Sequence, residues 1–237
     1  DYISIVYSAP IKTDGTIGPW STLTALPAIL LTPAYAVADG YIFILGGETT
    51  ASASVSTVYS AKLKADGTIS SWATLNTLPA LNKALAATAS NGYLFISGGG
   101  SGTYISTVYS ARLLGDGTIG TWATLNTLPA LTGYHSSVAY NGYLFIAGGS
   151  GGYYSTVYSA AIKSDGTIGT WATLNTLPVT TSWHTSVAYN GYLYIIGGHN
   201  GTTFSTVYAA AIKSDGTIGT WATLNTLPAL TAQAPAA

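Results

Sequence analysis

The chain is written almost entirely in one repeated unit of roughly 50 residues. The unit reads Ser-Thr-Val-Tyr-Ser-Ala, then Asp-Gly-Thr, then Trp-Ala-Thr-Leu-Asn-Thr-Leu-Pro, then Asn-Gly-Tyr-Leu-Phe-Ile, then Gly-Gly. Its tryptophans are Trp20, Trp72, Trp122, Trp171 and Trp221, and residues 163–178 and 213–228 are identical. A repeat of this length must form the same local structure each time and bury its faces against its own neighbours. Function then lies where the copies differ and at the two ends.

Residues 135–178 show what one unit becomes. His135 to Tyr140 and Tyr143 to Ile146 are strand-like runs joined by Asn141-Gly142, the pair that a two-residue type I′ hairpin turn demands. Gly148-Gly149 closes the second strand. Ser155 to Ile162 is rich in β-formers, Asp165-Gly166 makes a second turn, and Thr167 to Thr173 around Trp171 is expected as the fourth strand. Leu177-Pro178 ends it. The unit is therefore a four-stranded meander, with strands a, b, c and d. No segment keeps a 3.6-residue period, so no helix is expected. Several such meanders packed radially bury the faces that one alone leaves bare.

A glycine pair followed by a tyrosine and then a tryptophan recurs as Gly46-Gly47, Tyr59, Trp72; Gly98-Gly99, Tyr109, Trp122; Gly148-Gly149, Tyr158, Trp171; and Gly197-Gly198, Tyr208, Trp221. This pattern resembles the kelch motif over nearly the whole chain. The resemblance implies an all-β, kelch-like β-propeller, a fold that serves for protein binding, carbohydrate binding and occasionally catalysis. Fold alone does not select among these. Kelch rings usually hold more blades than these strands can supply.

The a–b hairpin occurs at 34–46, 85–98, 135–148 and 184–197, and the c–d hairpin at 3–24, 55–76, 105–126, 154–175 and 204–225. The expected organisation is a spare c–d hairpin over 1–27, a propeller over 28–229 and a tail over 230–237. The four complete four-stranded blades fall at about 28–79, 80–129, 130–178 and 179–229. Three readings stay open. The ring has four blades with 1–27 left over, or five with the fifth lacking its inner strands, or the chain is part of a longer array. The second is disfavoured because losing inner strands opens the axis. The spare hairpin carries an apolar face (Ile3, Ile5, Tyr7, Ile11, Ile17, Trp20) and a bare edge, a combination that invites association. Within one chain it could lie against the fourth blade; between chains it could dock head-to-tail, with Leu230 and Pro235 of the tail as further contacts.

Variation concentrates in the d-to-a connections (28–35, 80–86, 130–136, 179–185) and the b-to-c loops (48–54, 100–105, 150–154, 199–204), which a meander places on one face. There Tyr134, His135, Tyr153, Tyr154, Trp183, His184, His199 and Asn200 are the candidate ligand residues. Their readings are a protein contact, a glycan site or plain drift among copies. Tyr7, Tyr59, Tyr109, Tyr158 and Tyr208 recur once per unit and are expected as aromatic packing between blades.

Only 6% of the residues are charged and the net charge is −1. Seven scattered Lys and Arg make no stripe for phosphates, so nucleic acid is not a partner. No apolar run is long enough for a membrane span. Without cysteine there is no disulfide or thiolate site. His135, His184 and His199 have no zinc-type spacing and no nearby carboxylate, so no metal or cofactor is expected, and the histidines read instead as polar residues at the mouth of the central channel. Five of the eight acids sit in the Asp-Gly turns between strands c and d, leaving no opposed pair for glycoside hydrolysis, and no nucleophile elbow is present. A non-enzymatic protein is expected. The chain contains no methionine, which suggests a processed N-terminus or a cut from a longer chain. A surface so poor in charge is weakly defended against self-association. The sequence thus points to an extracellular or cell-surface protein that polymerises into a filament through its terminal strands, with a glycan-binding propeller as the alternative.

Overall fold

The computed structural model describes residues 3–80 and 82–229. These residues are all β, with no helix among them. β1 (Tyr7–Ser8) and β2 (Ser21–Thr22) pair as a separate N-terminal hairpin. Blade 1 is β3 (Ala34–Ala38), β4 (Tyr41–Leu45), β5 (Val58–Lys62) and β6 (Ala73–Thr74). Blade 2 is β7 (Ala86–Ser90), β8 (Tyr93–Ser97), β11 (Val108–Arg112) and β12 (Ala123–Thr124). Its b–c loop forms a small hairpin of β9 (Gly100–Ser101) and β10 (Thr103–Tyr104). Blade 3 is β13 (Ser136–Tyr140), β14 (Tyr143–Ala147), β15 (Val157–Ala161) and β16 (Ala172–Thr173). Blade 4 is β17 (Thr185–Tyr189), β18 (Tyr192–His199), β19 (Thr203–Ala211) and β20 (Ala222–Thr223). Each blade is an antiparallel meander in the order a-b-c-d.

The turns have the chemistry the residues dictate. Asn91, Asn141 and Asn190 sit at φ of 52°, 53° and 48°, each followed by a glycine that is also at positive φ, as a type I′ turn requires. At the c–d turns, Asp14, Asp66, Asp116, Asp165 and Asp215 each accept bonds from the hydroxyl and the backbone N–H of the threonine two residues on. The threonine hydroxyl is the larger cause holding each carboxyl below its usual range. Strand d is much shorter than the sequence suggests. In blade 3, Ile162 faces Ile168 across the turn, but Ser159 faces Ala172, so the d side carries one extra residue. That slip is a bulge, and it lifts Trp171 off the ladder.

The core lies between blades. We call the face of a blade toward the preceding copy its leading face and the other its trailing face. Phe43, Leu45 and Val58 on the trailing face of blade 1 pack on Leu94, Ile96 and Ile119 on the leading face of blade 2. Phe95, Val108 and Leu128 pack likewise on Leu144, Ile146 and Ile168, and Phe145, Val157 and Leu177 on Leu193, Ile195 and Ile218. Tyr109, Tyr158, Tyr208 and the tryptophans of the same blades border these clusters. The glycine pairs let adjacent copies approach. A Cβ on Gly148, which sits at φ 60°, would run into the Thr181 carbonyl and the His184 ring of the next blade.

Three junctions are packed this way, and the fourth is not. Strands a pack against one another from β3 to β7, β7 to β13 and β13 to β17. At the mouth of the axis Ala84 donates its N–H to the Thr32 carbonyl, Tyr134 to Ala84 and Trp183 to Tyr134, at 3.2, 2.8 and 2.9 Å. No such bond runs on from Trp183 to Thr32, and no cluster among the described residues joins blade 4 to blade 1. The N-terminal hairpin does not fill that junction from the blade 4 side. It lies against blade 1, where the Trp72 indole donates to the Thr24 carbonyl at 3.1 Å, as Trp171 does to Asn126 and Trp221 to Asn175. It is the outer half of a blade that precedes blade 1, the placement the sequence disfavoured. Among the described residues no inner strand pairs with it.

Burial between blades makes a sharp prediction. Phe145→Ala removes a ring that is 1% exposed and should lower unfolding stability in urea by about 3–5 kcal/mol, whereas Val37→Ala on the bare leading face should stay within about 0.5 kcal/mol.

Candidate functional site

Two places gather the residues on which function can rest: the face that carries the variable loops, and the two ends of the array. On the first, the structure pairs each d–a connection with the b–c loop of its own blade. The bridges are Leu31 with Glu48, Lys83 with Gly100, Gly133 with Ser150 and Ser182 with His199. The variable segments therefore do share one face.

An aromatic band crosses it. Tyr104 meets Tyr134 edge-on at 6.2 Å, Tyr134 meets Trp183 edge-on at 5.1 Å, and Trp183 stacks on His199 at 5.2 Å. Tyr153 approaches the far side of this group, 6.1 Å from His199. Tyr134 and Trp183 hold positive φ (52° and 55°), a strained setting for bulky residues, and the positions equivalent to them, Thr32 and Ala84, share it. Glu48 and Lys83 form an ion pair near the two tyrosine hydroxyls, and that bond holds the Lys83 pKa above its usual value. Partial burial pushes the Tyr104 and Tyr134 hydroxyls up as well. Tyr104, Glu48 and Lys83 escaped the sequence reading, because only the fold brings these three loops of two neighbouring blades together. Tyr154 lies apart from the stacked rings, its N–H on the Gly149 carbonyl, and Asn200 accepts a bond from Thr202 at 3.4 Å within its own loop.

The histidines at 135 and 184 are not on this surface. Both are buried in the wall of the axial channel, a cavity of about 320 Å³ shared by the four a strands and lined further by Ser137, Ser186, Tyr35 and Val37. His135 Nε2 bonds the Ser97 hydroxyl of the preceding blade at 2.8 Å, and His184 Nε2 bonds Ser136 at the same distance. Each ring thus ties two blades together. Burial depresses both pKa values, to about 3 for His135 and about 4 for His184, so the rings are neutral at pH 7. The sequence reading set them near the variable face at the mouth of the central channel, and alternation along strand a carries them into its wall. They serve the blade junctions and are removed from a ligand surface.

At the ends, the predicted contact residues are exposed. Ile11 is 82% and Trp20 66% exposed, and Ile3, Ile5, Tyr7 and Ile17 are open as well. Ile17 shows what is missing, since its equivalents Ile69, Ile119, Ile168 and Ile218 are 3–4% exposed beneath the blade that precedes each. At the other end the trailing face of blade 4 leaves Val187, Tyr189, Tyr192 and Leu224 open to solvent. Leu230 and Pro235 lie outside the described residues.

A kelch motif model matches residues 184–209, the a–b hairpin of blade 4 and most of its strand c. No curated protein matches the sequence. Among solved structures, the fold is similar to one titled "Structure of YjhT", with a TM-score of 0.68 and 14% identity over 89% of this chain and 69% of that one. At that identity the likeness concerns the fold. The chain is an all-β propeller with four four-stranded blades, the fourth of which carries a kelch motif.

The buried histidines set an acid limit. Their folded pKa values lie below the unfolded value of 6.5, so the unfolded chain binds more protons between pH 6.5 and about 4. Stability is full above pH 6.5 and falls as the pH drops, by about 2 kcal/mol per ring at pH 5. The thermal midpoint should fall between pH 7 and 5, and the double variant His135→Gln/His184→Gln should lose most of that slope.

Proposed function

We propose that the protein is a non-enzymatic structural subunit that assembles head-to-tail, the leading end of one copy docking on the trailing face of blade 4 of the next. The observation that carries this is a clasp left half-made at each end. Within the chain, two of the three junctions between complete blades use a reciprocal pair; at the first only the asparagine half forms, from Asn76 to the Ile119 carbonyl at 3.2 Å. A tryptophan indole donates to the backbone carbonyl of the residue at the Asn position before it (Trp171 to Asn126, Trp221 to Asn175), and that asparagine amide donates back to a backbone carbonyl near the following bulge. Asn126 reaches Gly169 at 3.1 Å and Asn175 reaches Gly219 at 3.0 Å. Among the described residues, the Trp20 indole and the Asn225 amide make no such bond. The two belong to identical or near-identical sequence contexts, so Trp20 of one molecule fits the Asn225 carbonyl of another, and the Asn225 amide fits Gly18 or Ile17. Around this clasp Ile11 and Ile17 would meet Val207 and Leu227, whose equivalents are buried inside the chain.

Docking of this kind joins two different surfaces, so it continues into a filament or closes into a ring according to the rotation per copy. A chain with 6% charged residues lacks the repulsion that opposes such association. The same lack of charge and cysteine suits an extracellular or cell-surface fibre, with copies of itself as the principal partner. A glycan ligand on the variable face has weaker support, because Trp183 is already engaged by His199 and Tyr134.

Electron microscopy and sedimentation velocity test the proposal. The wild type should form regular head-to-tail polymers that grow with concentration. Ile17→Asp should block the leading end and Val207→Asp the trailing end, so each variant alone stays monomeric and an equimolar mixture stops at heterodimers. A wild type that stays monomeric and monodisperse at high concentration would sink the proposal. If that monomer also expands when Trp20 is replaced by alanine, the same clasp closes within one chain. If it does not, a glycan array becomes the next experiment.

A further inference from the structure

We infer that Asn200, at the tip of the b–c loop of blade 4, is a self-modification site, where the side-chain amide is lost as ammonia and the variable face gains a negative charge. The step needs only the chain and water, so it stands apart from head-to-tail assembly.

Asparagine before glycine is where this chemistry is easiest. The glycine backbone nitrogen attacks the asparagine side-chain carbonyl carbon. A cyclic succinimide closes as the amide leaves as ammonia, taking the proton of the attacking nitrogen. Water then opens the ring at the side-chain carbonyl to give aspartate, or at the main-chain carbonyl to give isoaspartate, whose backbone runs through the side chain. No oxidant or reductant takes part. Glycine favours the step because it has no Cβ to obstruct the approach. The chain holds four such pairs, at Asn91, Asn141, Asn190 and Asn200, and its other asparagines precede threonine or lysine.

The fold separates these four. Asn91, Asn141 and Asn190 each sit in the a–b turn of a blade, at positive φ. The residues on either side are laddered, Ser90 with Tyr93, Tyr140 with Tyr143 and Tyr189 with Tyr192. Each turn glycine also gives its carbonyl to strand c, accepting from Leu113 at 2.8 Å and from Ile162 and Ile212 at 2.7 Å. At Asn190 the attacking nitrogen is itself engaged, since Gly191 donates to the Tyr140 hydroxyl at 2.9 Å. Swinging any of these peptides toward the asparagine side chain breaks the turn, so reaction there waits for local opening.

Asn200 is held far less. It follows His199, which pairs with Thr203 at the end of the β18–β19 ladder, and it is not at positive φ. Gly201 is exposed, and neither its N–H nor its carbonyl bonds another group among the described residues. Two long bonds close the link, from the Asn200 N–H to the Thr202 carbonyl at 3.2 Å and from the Thr202 hydroxyl to the Asn200 side-chain oxygen at 3.4 Å. The second sets a donor on the oxygen where negative charge develops as the nitrogen attacks. The location gives the change its weight. Among the described residues, Glu48 and Lys83 are the only charged side chains on the variable face, and they neutralise one another. The others sit at or beside the a–b and c–d turns, where Asp39 already stands at the Asn position of blade 1. An acid at position 200 is instead unpaired, next to the His199 ring that stacks on Trp183. The variable face is thus neutral in a new molecule and anionic in an old one.

The test ages the full chain in warm, mildly alkaline buffer made with heavy-oxygen water. A bacterial host leaves the Asn200-Gly201-Thr202 glycosylation sequon bare. Peptide mapping by mass spectrometry should find deamidation with incorporated heavy oxygen at residue 200, and an isoaspartyl methyltransferase should label the same peptide. Asn91, Asn141 and Asn190 should react at least about tenfold more slowly, because each turn must open first. In concentrated urea all four sites should react at similar rates, so that the fold and not the dipeptide sets the order. Asn200→Gln should remove the main acidic species that ageing produces on anion exchange. Similar rates at all four sites in the folded chain, a turn site faster than Asn200, or an Asn200 that stays intact while the unfolded chain reacts would overturn the inference. Persistence of the main acidic species in Asn200→Gln would do the same.

Discussion

Everything in this molecule depends on the packing of one blade's trailing face against the next blade's leading face. A four-stranded meander with phenylalanine on one side of strand b and leucine or isoleucine on the other cannot bury both alone. Phe95 in blade 2 and Leu144 in blade 3 are each about 1% exposed because the other exists. Stability in such an array is close to a sum over junctions, so an end blade is always short of one neighbour. The glycine pairs and the small residues of strand a are the features that let one junction be copied three times, and the full tryptophan–asparagine clasp joins two of those junctions.

The same rule explains why the ends are the most informative surfaces. An internal residue and its end equivalent share sequence and local structure, so a difference in burial between them reports only the missing neighbour. Ile17 against Ile119, and half-buried Ile44 against buried Ile96, are comparisons of that kind. They also separate what repeats from what has been specialised. Tyr35 and Val37 depart from the alanines and serines of the other blades at the place where no preceding inner strand lies among the described residues. The channel histidines occupy a different kind of specialised position. They replace Pro33 and Leu85 of the earlier copies, and each takes a serine hydroxyl of the neighbouring blade, which makes two of the three junctions sensitive to acid.

Much of the fold was legible because the repeat multiplies every local signal. Four Asn-Gly or Asp-Gly hairpins, four glycine pairs and the recurring tryptophans fixed strand number, order and turn type, and all four blades formed where those signals lay. Strand d was over-read, since nothing in Thr-Ile-Gly-Thr-Trp announces the one-residue bulge that shortens its ladder. The candidate site was legible only in part. That the variable loops share a face follows from meander topology. Which side chains meet there does not: Tyr104 and the Glu48–Lys83 pair came from loops of two neighbouring blades, and His135 and His184 went into the channel wall.

By itself the sequence determined the unit, because turn chemistry and alternation act over a few residues and need no distant partner. It also marked the apolar face of the N-terminal hairpin in a chain with few charged residues. Only the tertiary structure decided where the spare hairpin goes, which junction stays open and which equivalent residues are left bare. Those outcomes depend on how far each blade rotates from the last, an angle set by side-chain volumes at every junction together.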